Sequence, residues 1–272
     1  MPYSLDSKVI VIVGGTRGIG AGAARRLCAE GATVIVGGIS IDRGREFAEE
    51  LSATGPGRAE FRVADLRDGA GLRQLMDGVV ETHGRIDGLF NNGADLSLLD
   101  HDTDVLDIDL AVFRETLQAD LEGYLLSCRA ALPHMLRQGG GSIVQTSSIA
   151  ASRADTQMVA YSCAKAGVDA LTRHIAMRWG KQNIRCNAIQ PGMIMTEKAR
   201  GMEDVLPLDA IRAFTPAPRL GDPKDIAALT AFLLSDDSAF INGQILQVDG
   251  GLHTILIRSL DPFAATDGGQ PV

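Results

Sequence analysis

Tyr161 and Lys165 lie four residues apart within Val159 to Gly180, a stretch whose apolar residues recur at helical spacing. Residues so spaced share one helix face. A phenol beside an ammonium is a proton-transfer pair, because the cation favours the phenolate; the spacing predicts a Tyr161 pKa lowered from its usual ~10. Such a group exchanges a proton with a carbonyl or alcohol oxygen. Ser148, thirteen residues upstream, follows an apolar run ending in Thr146-Ser147, and its hydroxyl can hydrogen-bond the same oxygen. No G-x-S-x-G elbow surrounds Ser148, which argues against a nucleophile. Taken alone, Y-x-x-x-K is also the pattern of a plain surface contact.

A second constellation lies near the start of the chain. Gly14-Gly15-Thr16-Arg17-Gly18-Ile19-Gly20 follows an apolar strand pattern and runs directly into a helical one. Glycines there permit a tight turn, and free N–H groups at the helix start attract a pyrophosphate. The loop lacks the Gly-Lys-Ser/Thr ending of a triphosphatase, so a dinucleotide is expected. Asp65 ends the third strand pattern and either reaches an adenine amino group or serves a helix cap within Asp65-Leu66-Arg67-Asp68. Choice between NAD and NADP rests on the end of the second strand, where an acid would accept from the ribose and repel a phosphate. That stretch reads Val36-Gly37-Gly38-Ile39-Ser40-Ile41-Asp42-Arg43, with Gly38 in the acid's place. Arg17, Ser40 and Arg43 are the expected phosphate partners, which favours NADP over the alternative, NAD.

The elements that must position these groups follow an alternating pattern. Strands are expected at Lys8–Val13, Thr33–Val36, Glu60–Ala64, Ile86–Asn91, Ser142–Ser147, Ile184–Gln190 and Gln244–Val248. Helical patterns include Ile19–Glu30, Ala111–Arg137, Val159–Gly180 and Pro223–Leu234. Nearly continuous apolar strands separated by amphipathic helices predict an α/β, doubly wound parallel sheet. Glu197 to Pro218 carries three prolines and few strand signals, and reads as an excursion that closes over a substrate.

The 272 residues, 45% hydrophobic and 22% charged, suit a single domain with one large core. We expect that domain over 1–251, including a substrate lobe at 193–218, and a C-terminal tail over 252–272. A net charge of −8 with scattered Lys and Arg argues against nucleic acid and anionic membrane as partners. The first residues show no cationic and apolar leader, which predicts a cytoplasmic protein. Cys28, Cys128, Cys163 and Cys186 are widely spaced, predicting buried reduced thiols and no metal site. His83 before Gly84 suits a helix C-terminus. Met193, Met195 and Met202 suit either a substrate pocket or core.

Together, the glycine loop, Asn91-Asn92-Gly93-Ala94, Ser148, Tyr161 with Lys165, and Pro191-Gly192 resemble the short-chain dehydrogenase/reductase (SDR) family over roughly Lys8 to Gly251. The resemblance implies a Rossmann-like fold and hydride transfer between a nicotinamide and a ketone or secondary alcohol. It implies Tyr161 as general acid/base, Ser148 orienting the carbonyl, and Lys165 tuning Tyr161 while holding the nicotinamide ribose. Asn91, with Asn92 and Gly93 beside it, would line the adenosine side. Pro191, Gly192, Ile194 and Thr196 would form the nicotinamide loop. It also implies a homo-oligomer, tetramer or dimer. A β-ketoacyl thioester reductase and a non-catalytic dinucleotide-sensing regulator are the alternatives. This chain departs from the family in three places. It has Asn92-Gly93-Ala94 for N-A-G and Val13 for a common threonine, and Asp120 stands where the family's fourth catalytic residue is Asn. A carboxylate at 120 would favour a charged Lys165.

Overall fold

The computed structural model describes residues 5–204 and 206–254; most of the expected tail lies outside them. Seven strands form one sheet in the order β3-β2-β1-β4-β5-β6-β7, every neighbouring pair parallel. They are β1 (Val9–Val13), β2 (Thr33–Gly38), β3 (Arg58–Val63), β4 (Gly88–Asn91), β5 (Gly141–Thr146), β6 (Ile184–Pro191) and β7 (Ile245–Val248). All seven expected strands are present, with ends shifted by one or two residues as is usual for such boundaries.

Because successive strand residues face opposite sides, the all-apolar β1 feeds two cores at once. Val9, Val11 and Val13 join Leu72, Met76, Leu89 and Cys128 on one face. Ile10 and Ile12 join Leu27, Val34, Ile226 and Leu234 on the other. Helices α1 (Gly18–Ala29), α2 (Ile41–Thr54) and α9 (Pro223–Leu234) cover the second face. Helices α3 (Gly69–His83), α5 (Gly123–Arg137) and α6 (Val159–Trp179) cover the first. Helix α3 ends as its sequence suggests, with Gly84 left-handed at φ 78° after His83. Its start is capped by Asp68, which accepts from Gly71 N at 2.9 Å.

The expected helix Ala111–Arg137 is not one regular helix. It comprises α4 (Leu110–Leu117), a π-helical turn at Gln118–Glu122, and α5. The extra residue in that turn sets Asp120 inward, 1% exposed. Beyond β6, the excursion contains α7 (Glu197–Arg200) and α8 (Leu208–Phe214), and Met195, Leu208 and Leu220 form a small core there. No helix among the described residues is long and apolar enough to cross a membrane.

Candidate active site

Strand order reverses direction of growth at β1 and β4, and ligands of open parallel sheets bind at the strand C-terminal ends beside such a point. The glycine loop leaves β1 there. Gly14 has φ 84°, and a Cβ on it would fall 2.5 Å from the Gly93 backbone; Gly18 has φ 50°. Asn92 ties the loop down, its Nδ2 donating to Gly14 O at 3.0 Å while its Oδ1 accepts from Thr146 Oγ1 at 3.1 Å. Helix α1 then begins with no side-chain cap on its amides and no acid in its first turn. Uncapped amides at a helix start, without a competing carboxylate, fit the phosphates of a dinucleotide. Ile19 and Thr196 both line the adjoining cavity, and Thr196 packs against Gly18.

Asn91 and Arg43 stand elsewhere than expected, and the other expected cofactor residues take the following places. Asn91 does not face the adenosine side. It is fully buried, with Nδ2 donating to Gln145 Oε1 at 3.2 Å and Oδ1 accepting from Ser127 at 2.7 Å, because the strand's alternation turns its neighbour Asn92 to the loop. Leu66 is buried against Gly93 and Gly123, and Asp65 accepts from Arg67 N at 2.9 Å, a local turn. At the end of β2, Gly38 abuts Thr16 and Ser40 begins α2. Arg17 is exposed, but Arg43 is engaged: its guanidinium pairs with Glu197 of α7 at 2.9 Å. The expected trio of phosphate partners is therefore not three free groups.

The residues expected to be catalytic do converge. Ser148 leaves β5 in extended conformation, accepts from Ala150 N at 3.1 Å and shares a side-chain hydrogen bond with Tyr161. Lys165 is 1% exposed; its Nζ lies 5.5 Å from the Tyr161 ring centre and donates to Thr146 O at 3.1 Å. Tyr124, absent from the sequence expectations, completes the surroundings. Its ring centre is 4.8 Å from Lys165 Nζ, its hydroxyl accepts from that ammonium at 3.5 Å, and it donates to Thr146 O at 3.3 Å. Only its place one turn beyond Asp120 would have hinted at this. Asp120 Oδ1 accepts from Asp95 N at 3.0 Å, while Oδ2 is buried without a hydrogen-bond partner.

Electrostatics reverse the expected shift of the phenol. Burial and the neighbouring Asp120 push Tyr161 up to about 12, opposed by the Ser148 hydrogen bond. The same burial holds Lys165 below its ordinary value, although Asp120 and Asp169 pull it upward. Asp120 is raised in turn by desolvation, against the pull of Lys165. Helical spacing brings one charge near the phenol, but burial removes water from Tyr161, Lys165 and Asp120 alike, and desolvation is the larger effect on each. The thiols divide as well: Cys28, Cys128 and Cys186 are buried, but Cys163, on α6 between the catalytic pair, is exposed.

Tyr161 borders a cavity of about 300 Å³, lined also by Leu96, Leu99, Met193, Ile194, Met202 and Leu206, and by Pro191 and Gly192. Met193 and Met202 thus line the pocket, whereas Met195 belongs to the lobe's core. The wall is clasped to the lobe by Lys198, which donates to Leu96 O at 2.9 Å.

A family model described as Enoyl-(Acyl carrier protein) reductase matches residues 13–253. A probable short-chain type dehydrogenase/reductase of Bradyrhizobium diazoefficiens is 37% identical over 250 residues, covering 91% of this chain and 88% of that protein. The chain belongs to the short-chain dehydrogenase/reductase family. It is also 37% identical over 251 residues to a 7alpha-hydroxysteroid dehydrogenase of Bacteroides fragilis, covering 91% of this chain and 95% of that one. Among solved SDR structures, a 7alpha-hydroxysteroid dehydrogenase complexed with NADH and 7-oxo glycochenodeoxycholic acid superposes with a TM-score of 0.84. It is 31% identical, with 91% of this chain and 95% of that one covered. Members of this family bind a nicotinamide dinucleotide, and this chain is an SDR oxidoreductase.

Proposed function

We propose that this SDR interconverts a ketone and a secondary alcohol, with Tyr161 as general acid/base and NADP(H) as the hydride carrier. The observation that carries the reading is one juxtaposition. The Tyr161 hydroxyl, bonded to Ser148 and backed by the buried Lys165 ammonium, borders a largely apolar cavity. Ser148 Oγ donates to the substrate oxygen and orients it, and Tyr161 Oη passes its proton to that oxygen. The nicotinamide, when bound, supplies or takes up the hydride. A phenol pushed up to about 12 is protonated at neutral pH, which is the state ketone reduction draws on. Lys165 donates to the Thr146 carbonyl and would hold the nicotinamide ribose; Tyr124 accepts from its ammonium, and the Asp120 carboxylate favours its charged form. Leucines and methionines in the wall exclude water from the transfer and favour a substrate with an apolar body. NADP is supported by the absence of any acid at Gly38 and by the exposed Arg17 beside the loop.

The test is nicotinamide absorbance across a panel of ketones and alcohols, for the wild type and Tyr161→Phe. Turnover should fall by about 10²–10⁴-fold in the variant while cofactor affinity is kept, since only the proton-transfer hydroxyl is lost. Near-normal turnover in Tyr161→Phe removes the assignment.

A further inference from the structure

Helix α6 carries both Tyr161 and Lys165, so its first turn decides where the phenol stands. The chain enters it through Met158 in the left-handed region (φ 62°), and that residue's side chain offers no cap. A helix start leaves its first amides without partners in the helix. Here they are answered from a distant loop. Asp102 Oδ1 accepts from Ala160 N at 2.9 Å, and its Oδ2 accepts from Tyr161 N at 2.8 Å. The main chain of the same loop adds to this, Asp102 O accepting from Met158 N at 2.8 Å and Thr103 O from Val159 N at 3.4 Å. Asp102 is 2% exposed.

Two features raise this above ordinary capping. One of the two amides held belongs to the residue that bears the phenol. Moreover, Asp102 closes the turn Leu99–His101, and Leu99 and Asp100 of that turn line the cavity that Tyr161 borders. One buried carboxylate therefore joins the wall that seats the substrate to the main chain of the proton donor. We infer that Asp102 is a positioning residue, fixing the reach of the Tyr161 hydroxyl relative to the cavity wall; this rests on the reading of Tyr161 as the acid/base. Both oxygens are required. An amide in its place has one acceptor, and its NH₂ would face the other backbone N–H.

Asp102→Asn and Asp102→Ser are compared with the wild type on a ketone the wild type reduces. Asp68→Ala, which removes the cap of α3, serves as a control for loss of a cap alone. In Asp102→Asn, kcat should fall about 10- to 100-fold, because misplacement of a reacting group by an ångström carries a cost of that order. KM and the cofactor Kd should hold within about threefold, and the solvent deuterium isotope effect on kcat should rise as proton transfer becomes limiting. Asp68→Ala should lower Tm with kcat and the isotope effect unmoved. An unchanged kcat in folded Asp102→Asn overturns the inference. So does a loss that follows the folded fraction with no change in isotope effect. If Asp102→Asn does not accumulate as folded protein, Asp102→Ser, which keeps one acceptor, is judged by the same criteria. Failure of the underlying reading shows separately, as near-normal turnover in Tyr161→Phe, and takes this inference with it.

Discussion

The glycine loop after β1 takes its shape from consecutive residues, Gly14 to Gly20, whereas the candidate catalytic pocket gathers Asp120 from the π turn, Tyr124 from α5, Thr146 and Ser148 from the end of β5, and Tyr161 with Lys165 from α6. In the loop the working groups are backbone amides at a helix start, held by glycine conformation and by Asn92. No charge is desolvated there, and Arg17 stays exposed. In the pocket the working groups are ionisable side chains that burial has shifted, Lys165 and Tyr124 being almost wholly enclosed. The difference teaches that the loop's free amides are set by local backbone, with no ionisable side chain desolvated to make them. Proton transfer depends on a mutual balance of buried charges, where one substitution alters every neighbour.

The sharpest way to break that comparison is Lys165→Met. On the proposed reading, buried ammonium and phenol act as one unit, so kcat/KM should fall by about 10²-fold or more, within the range for loss of general acid–base assistance. Cofactor affinity should weaken with it, because Lys165 would also hold the ribose. Unchanged cofactor affinity would confine Lys165 to the pocket and leave the two regions independent.

A smaller effect is expected from Gly38→Asp on the loop side. A Cβ at this position would lie 2.9 Å from Thr16 Cγ2, so Thr16 must rotate, yet no buried charge is touched. The new carboxylate would repel a 2′-phosphate, and the ratio of kcat/KM for NADP to that for NAD should drop by about tenfold. A wild type that already prefers NAD by a wide margin would contradict the assignment of Arg17 and Ser40. The Arg43 pair with Glu197 would then account for one of the two expected cations being engaged elsewhere.

The smallest change expected is in Asp120→Asn, which keeps size and fold. The Asp120 carboxylate disfavours the phenolate and so contributes to the raised pKa of Tyr161. Removing its charge lowers that pKa, and alcohol oxidation, which needs the phenolate, should gain its activity at lower pH, by up to about one unit. The rate at the optimum should stay within about tenfold of wild type. A profile displaced to higher pH would mean that Asp120 acts on Tyr161 mainly through Lys165, because loss of the carboxylate would also lower the lysine.

Residue order by itself determined the features set by near neighbours. The apolar runs fixed seven parallel strands, the glycine spacing fixed the loop, and Gly84 after His83 fixed the end of α3. The i,i+4 spacing placed Tyr161 and Lys165 on one face of α6, since helical periodicity is a local property. Only the tertiary structure decided what surrounds those groups. It set Asp120 inward on a π turn that apolar periodicity does not mark, and turned Asn91 into the core beside Gln145. It paired Arg43 with Glu197 across 154 residues, and brought Asp102 to the amide of Tyr161 across 59. It also raised the phenol where the sequence had predicted lowering. Solvation and long-range pairing depend on residues distant in the chain, so the sign of a shift in a buried site emerges only when every neighbour is in place.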